Sequence, residues 1–162
     1  MGGPKAELVV DGIRLLDRAV AALAEAGCDP VYAVVRPYAD AGDALPVVNL
    51  EPSRGQRSSL EAGVDAAKDA DAIAVILVDT PGITAEAIRT VTDAWQPGRV
   101  ATGVVDGRLT HPTVMGFPLW QQAIALAEAD EGARRFLAAN PELVDEIEID
   151  VDPRDLDTPA DL

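Results

Sequence analysis

Seven apolar residues, 72–78 (AIAVILV), run straight into Asp79-Thr80-Pro81-Gly82. A run with no polar member reads as a strand buried on both faces, and a carboxylate just past its carboxyl end stands where open α/β sheets bind ligands. The small turn residues around it suit Asp79 to holding Mg2+ against phosphate oxygens. The same side chain could instead accept turn amides. Arg54-Gly55-Gln56-Arg57-Ser58-Ser59-Leu60 puts two cations, a glycine and two hydroxyls at the entrance to a helix. Free amides at such an entrance bind anions and polar rings, although a capped loop with solvated arginines has the same composition. Lys5, one of two lysines, follows Gly2-Gly3-Pro4 and could reach a phosphate as a point charge or stay solvated. His111, the only histidine, lies in Thr110-His111-Pro112-Thr113, where it could orient a substrate, act as a base or serve structure alone. Asp150, Asp152, Asp155, Asp157 and Asp161 form an acidic run that is either a solvated tail or the source of a second metal ligand. Cys28 reads as a small buried hydrophobe.

The elements that must position these residues follow from the period of the apolar residues, which switches repeatedly between helix and strand. Leu15, Leu16, Ala19, Val20 and Leu23 fall at helical spacing and Gly27 follows as a stop, so residues 13–26 are expected to be helical. Residues 31–35 (VYAVV) form a short β-branched run between prolines, as in a buried parallel strand, and Val47-Val48 adds a brief one. Ser58 and Glu61 have the spacing of a capping box for a helix over 58–68. The 72–78 run is expected in the middle of the sheet. Thr84 fits an N-cap for residues 85–95, with Ile83 and Ile88 as a hydrophobic staple. Residues 100–105, Asp106-Gly107 and Leu109 onward read as two strands around a tight turn, the one antiparallel feature. Pro118 opens a helix to 129, residues 131–139 give another, and 144–151 (VDEIEIDV) alternates like a half-exposed edge strand.

The composition sets bounds on all of this. A chain of 162 residues with 48% hydrophobic and 25% charged residues has the size and make-up of one folded domain, which excludes disordered, collagenous and disulfide-built classes. The formal charge of -15 repels nucleic acid and anionic membranes, so a phosphate-bearing partner is expected to arrive with metal. A single cysteine, no charged and apolar leader, and no apolar stretch near the ~20 residues that span a bilayer point to the cytoplasm. Doubly wound folds begin with a strand and a Gly-rich turn, whereas this sequence reaches a helix almost at once.

Six ordered segments together resemble the MobA-like nucleotidyltransferase family, in particular the molybdenum cofactor cytidylyltransferases. Met1-Gly2-Gly3-Pro4-Lys5 resembles the end of a Gly-rich signature, L-A-A-G-x-x-x-R-M-G-x-x-K. Asn49, Gly55, Ser59, Leu60 and Gly63 match N-x-x-x-x-G-x-x-x-S-L-x-x-G after insertion of one residue. Leu77-Val78-Asp79-Thr80-Pro81 resembles the metal motif L-x-D-x-P. His111-Pro112 resembles G-H-P, residues 130–134 (DEGAR) resemble G-D-x-G-A-R, and residues 155–162 (DLDTPADL) resemble D-x-D-T-P-x-D-L. Thr110 and Ala129 replace glycines of two of these motifs. The strand, Gly-rich loop and arginine that open the family pattern find no counterpart before Met1.

The resemblance implies an α/β fold with a mostly parallel, doubly wound sheet of the Rossmann-like, nucleotide-diphospho-sugar transferase type. It has a small antiparallel element and lacks its first strand, in one domain over 1–162 that is incomplete at its N-terminus. It further implies transfer of NMP from CTP or GTP to a phosphorylated acceptor such as molybdopterin, with release of pyrophosphate. Lys5 and Asp79 would be catalytic. Gly2, Gly3, Lys5, Gly55, Ser58 and Ser59 would bind nucleotide, His111 and Arg134 the acceptor, and Asp79 and Asp157 Mg2+. A molybdoenzyme or chaperone would be the protein partner. The alternatives are a catalytically impaired accessory or binding module, or a nucleotidyltransferase for another phospho-acceptor. Because the missing interior strand would leave two strands without a partner, the 162-residue chain is expected to be aggregation-prone or poorly folded and to bind nucleoside triphosphate weakly or not at all.

Overall fold

The computed structural model describes residues 5–80, 82–129 and 131–152. After a 3-10 turn, β1 (Val9–Val10) and β2 (Ile13–Arg14) form a small antiparallel hairpin around Asp11-Gly12. Its two strand residues shorten the expected helix, which starts at Leu15 as α1 (Leu15–Glu25). The Asp-Gly pair was the legible signal, since both positions take positive φ (51° and 79°) as a tight hairpin turn requires. Then come β3 (Tyr32–Val35), β4 (Leu45–Val48), α2 (Gln56–Ala66), β5 (Ile73–Val75) and α3 (Ala85–Ala94). The remainder is β6 (Val100–Val105), β7 (Arg108–Met115), α4 (Phe117–Leu126), α5 (Arg134–Ala139) and β8 (Val144–Glu148).

Among the described residues, β3 and β4 pair in parallel as one sheet, and a second has the order β5-β7-β6-β8. β7 runs antiparallel to both β5 and β6, whereas β8 is parallel to β6, so three of four strands share a direction. The expected hairpin at Asp106-Gly107 forms β6 and β7, both turn residues having positive φ. β8 lies at the edge, as its alternation implied. The 72–78 run departs from expectation. Only Ile73–Val75 is laddered, it pairs with β7 alone among the described residues, and it therefore borders its sheet instead of lying in the middle. Apolar composition demands burial, which neighbouring helices can supply; it does not by itself supply a second ladder.

Successive strand residues face opposite layers. Val100 and Met115 join Val64, Ile73, Trp120, Ala123, Ile124 and Phe136 beneath α2, α4 and α5. Ala101 and Val114, one position on, pack with Val91 of α3. Ala33 and Val35 pack under Leu16 and Val20 of α1 on that second side, where α1 lies beside α3. Trp120 is 1% exposed and its Nε1 donates to the Ile73 carbonyl at 3.0 Å, tying α4 to β5. Losing such a buried ring costs about 3–5 kcal/mol. The Thr84 cap forms as its sequence implied: its hydroxyl accepts from the Ala87 amide at 3.1 Å.

Candidate functional site

Beyond β5 the chain leaves the ladder and reaches a turn at Val78-Asp79, where the Asp79 side chain is only 20% exposed. Lys5 Nζ donates to Asp79 Oδ2 at 2.9 Å, so two residues expected to share one ligand do meet. Asp79 Oδ1 is buried and accepts no hydrogen bond among the described residues. A buried acceptor left unmet costs about 1–3 kcal/mol, and a hard cation is a partner that satisfies a carboxylate oxygen. Asp152, on the segment leaving β8, returns to this loop: its carbonyl packs against Gly82 so closely that no Cβ would fit there.

The loop before α2 is organised by a residue to which the sequence reading gave no role of its own. Asn49 is 6% exposed; its Nδ2 donates to Ser58 Oγ at 2.9 Å and to Ser59 Oγ at 3.0 Å, and its Oδ1 accepts from the Glu51 amide at 2.9 Å. The spacing of Asn49 to the serine pair was the available signal. The expected Ser58 capping box does not form. Gly55, at φ 84°, is the N-cap of α2, and Ser58, now inside the first turn, donates its hydroxyl back towards the Gly55 and Glu51 carbonyls. Arg57 is not free either, because its amide and Nη1 donate to the Ala129 and Ala127 carbonyls and pin the end of α4 to α2. Arg54 pairs with Glu51 in solvent.

His111 is presented by an irregularity in the β6–β7 ladder. Thr102 pairs with Thr113 but Gly103 with Thr110, so His111 and Pro112 bulge out of register. Bulges of this kind re-aim side chains. The close approach needs a glycine, since a Cβ on Gly103 would lie 3.0 Å from the His111 carbonyl and 2.7 Å from Ile149 Cδ1. His111 Nδ1 lies 3.3 Å from the Val75 carbonyl, which ties the ring to the end of β5, four residues before Asp79. Ser59, Thr80, His111 and Arg134 line one cavity of about 1670 Å3, with Gln56 on its wall. Arg134 opens α5 and is exposed to that space. Cys28 lies on the same cavity wall, half-buried, and burial pushes its thiol pKa up.

Ser59, His111 and Arg134 therefore share a cleft whose wall continues through Val78 and Thr80, the neighbours of Asp79. Gly55 and Ser58 act from behind, shaping the loop. Gly2, Gly3 and Asp157 lie outside the described residues. Among the described residues no group of three His, Cys, Asp or Glu side chains converges as a metal cage, and no helix is long and apolar enough to cross a membrane. Mg2+ does not need a cage of protein ligands, because it is commonly held by one or two carboxylates with phosphate oxygens and water completing the shell. Asp79, with one oxygen unmet, fits that requirement.

Comparison with known proteins gives the family and the fold. Residues 1–145 match the MobA-like NTP transferase domain model. A curated relative, nicotine blue oxidoreductase of Paenarthrobacter nicotinovorans, is 33% identical over 162 aligned residues, covering 90% of this chain and 78% of that protein. A nucleotidyl transferase from Methanothermobacter thermautotroptrophicus superposes with a TM-score of 0.82 at 18% identity, over 97% of this chain and 81% of that one. The 2-C-methyl-D-erythritol 4-phosphate cytidylyltransferase of Thermus thermophilus gives 0.75 at 20%, over 99% and 90%. Rv0371c of Mycobacterium tuberculosis, solved in complex with manganese, gives 0.76 at 19%, over 98% and 88%. The structural likenesses show the fold, and the match over residues 1–145 shows the lineage: the chain belongs to the MobA-like NTP transferase domain family.

Proposed function

We propose that the protein transfers a nucleoside monophosphate from CTP or GTP to a phosphorylated small-molecule acceptor of the molybdopterin kind, with Mg2+. The observation that carries this reading is the Lys5–Asp79 pair, one ammonium and one half-satisfied carboxylate, set beside a cleft that also holds Ser59, His111 and Arg134. An acceptor phosphate oxygen attacks the α-phosphorus of the triphosphate. The new P–O bond forms as the α–β bridging bond breaks, and pyrophosphate carries the electron pair away. Such transfers depend on positioning and charge neutralisation more than on a protein nucleophile.

Asp79, joined in this reading by Asp157, would hold Mg2+, which when bound neutralises phosphate charge. Lys5 would turn from Asp79 towards the triphosphate. Ser59 and the loop braced by Asn49 would face the nucleobase. His111 and Arg134 would seat the acceptor. The test is pyrophosphate release on mixing the protein with Mg2+, CTP or GTP, and molybdopterin. Release with one nucleotide only, dependent on acceptor, supports the reading, and none with either defeats it.

A second reading rests on the 33% identical relative, which is named as an oxidoreductase. The same cleft would then bind a reducing dinucleotide in place of a triphosphate. Oxidation of NADH or NADPH in the presence of an organic acceptor, with no pyrophosphate formed, would favour it.

A further inference from the structure

Among the described residues β4 is laddered to β3 alone, so its outer side is an open strand edge. The ladder fixes which groups face out. The Leu45 amide donates to the Val31 carbonyl and the Asn49 amide to the Val35 carbonyl, each at 2.9 Å, so the odd-numbered residues turn their backbone groups towards β3. The even-numbered residues turn theirs outward. The outer edge therefore offers the Pro46 carbonyl, both backbone groups of Val48 and the Leu50 amide. Pro46 has no N–H to offer.

Open edges are ordinarily blunted by charge, Lys above all. Residues 44–50 (ALPVVNL) carry none, in a chain of which 25% is charged. Leu45, Val48 and Leu50 are 51%, 47% and 79% exposed. The edge is also held in place, because Asn49 is bonded to Ser58, Ser59 and the Glu51 amide, and a preorganised strand loses little freedom on pairing.

The outward groups complement a second copy of themselves. In an antiparallel pair centred on Val48, each Val48 amide donates to the partner's Val48 carbonyl. Two residues on, each Leu50 amide meets the partner's Pro46 carbonyl, so the missing proline N–H is not called upon. Registers centred on Pro46 or Val47 would set proline nitrogens against carbonyls, and the bend at Leu50 ends the edge on the other side. The same dyad sets the end that carries Arg54 against the partner's end that carries Asp43, opposite charges outside an uncharged centre.

We propose that β4 is a self-association edge, through which two copies of this chain pair antiparallel about a two-fold axis at Val48 and join their β3–β4 sheets into one. The interface is isologous and closes at two copies. So short a pairing buries less than the ~1,600 Å2 of a standard interface, which makes the dimer weak and concentration-dependent. A charge of -15 on each copy opposes association, so added salt should strengthen it. The proposal is independent of which reaction the cleft performs.

Sedimentation velocity across micromolar to submillimolar concentrations should show a monomer–dimer equilibrium that shifts to dimer with salt. Val48→Lys, which sets like charges directly opposite, should weaken it about tenfold or more, with melting at dilution close to wild type. A cross-link reads the register without relying on that variant. In a Cys28→Ser background, Val48→Cys places two thiols on opposite residues ~5.5 Å apart at Cα, within disulfide span. Mild oxidation should therefore yield a covalent dimer. Leu50→Cys in the same background is the control, since its side chain is more exposed but would lie ~13 Å from its counterpart. A monomer at every concentration would overturn the proposal, whether the edge stays bare or the chain itself covers it. Dimers undiminished by Val48→Lys, growth beyond two copies, or equal cross-linking at positions 48 and 50 would overturn it as well.

Discussion

Lys5 Nζ and Asp79 Oδ2 lie 2.9 Å apart although 74 positions separate them in the chain. In the proposed reaction this pair would supply the cation and the metal-holding carboxylate. Asp79→Asn is expected to slow pyrophosphate release by ~10²-fold or more, the scale of removing one preorganised charge-stabilising group. Folding should change little, because Lys5 is 33% exposed and can turn to water. Parallel measurement of turnover and thermal melting checks this, and undiminished turnover would remove Asp79 from the mechanism.

His111 is held by the β6–β7 bulge against the Val75 carbonyl, on the cleft wall shared with Arg134. His111→Ala should raise the apparent KM for the acceptor while leaving nucleotide binding close to wild type. Titrating each substrate separately decides the matter. An equal loss for both would place the ring at the nucleotide or make its role purely structural.

The Asn49 side chain makes three hydrogen bonds from a buried position. Asn49→Ala leaves the Glu51 amide without its acceptor and releases both serines, at a cost of about 1–3 kcal/mol. The nucleotide Kd should rise as well, because the loop loses its brace. Urea unfolding and equilibrium binding measure the two effects. A loss of stability with unchanged affinity would confine Asn49 to the scaffold.

Arg99 Nε and Nη2 donate to the two carboxylate oxygens of Asp145, each at 2.7 Å, joining the start of β6 to β8. The guanidinium holds the Asp145 carboxyl below the usual carboxylate range. The folded state therefore binds this proton less readily than the unfolded chain. Stability from the pair is present above the ordinary Asp value of ~3.9 and is lost as pH falls through the lower folded value. Asp145→Asn should lower the melting temperature at neutral pH and lose that difference in acid. A gap that persists unchanged at pH ~3 would mean that the pair's charge is not what stabilises.

Much of the architecture was legible because burial writes itself into local pattern. The β6–β7 turn at Asp106-Gly107, the Thr84 cap and the edge position of β8 follow from a turn dipeptide, a hydroxyl at a helix entrance and an acid–apolar alternation. Each depends on contacts within a few residues. Lys5, Asp79, Ser59, His111 and Arg134 were legible as chemistry, by residue type and by resemblance. Tertiary structure decided which of them meet. Nothing local announces that Ser58 gives up its cap to Gly55 and is bonded by Asn49, or that a two-residue register slip aims His111 at Val75. The same holds for 72–78, whose composition specifies an apolar environment on every side but is silent about which backbones lie alongside. Side-chain burial is a property that a residue carries with it, whereas ladder partners and bulges belong to pairs of distant segments and exist only once the chain has folded.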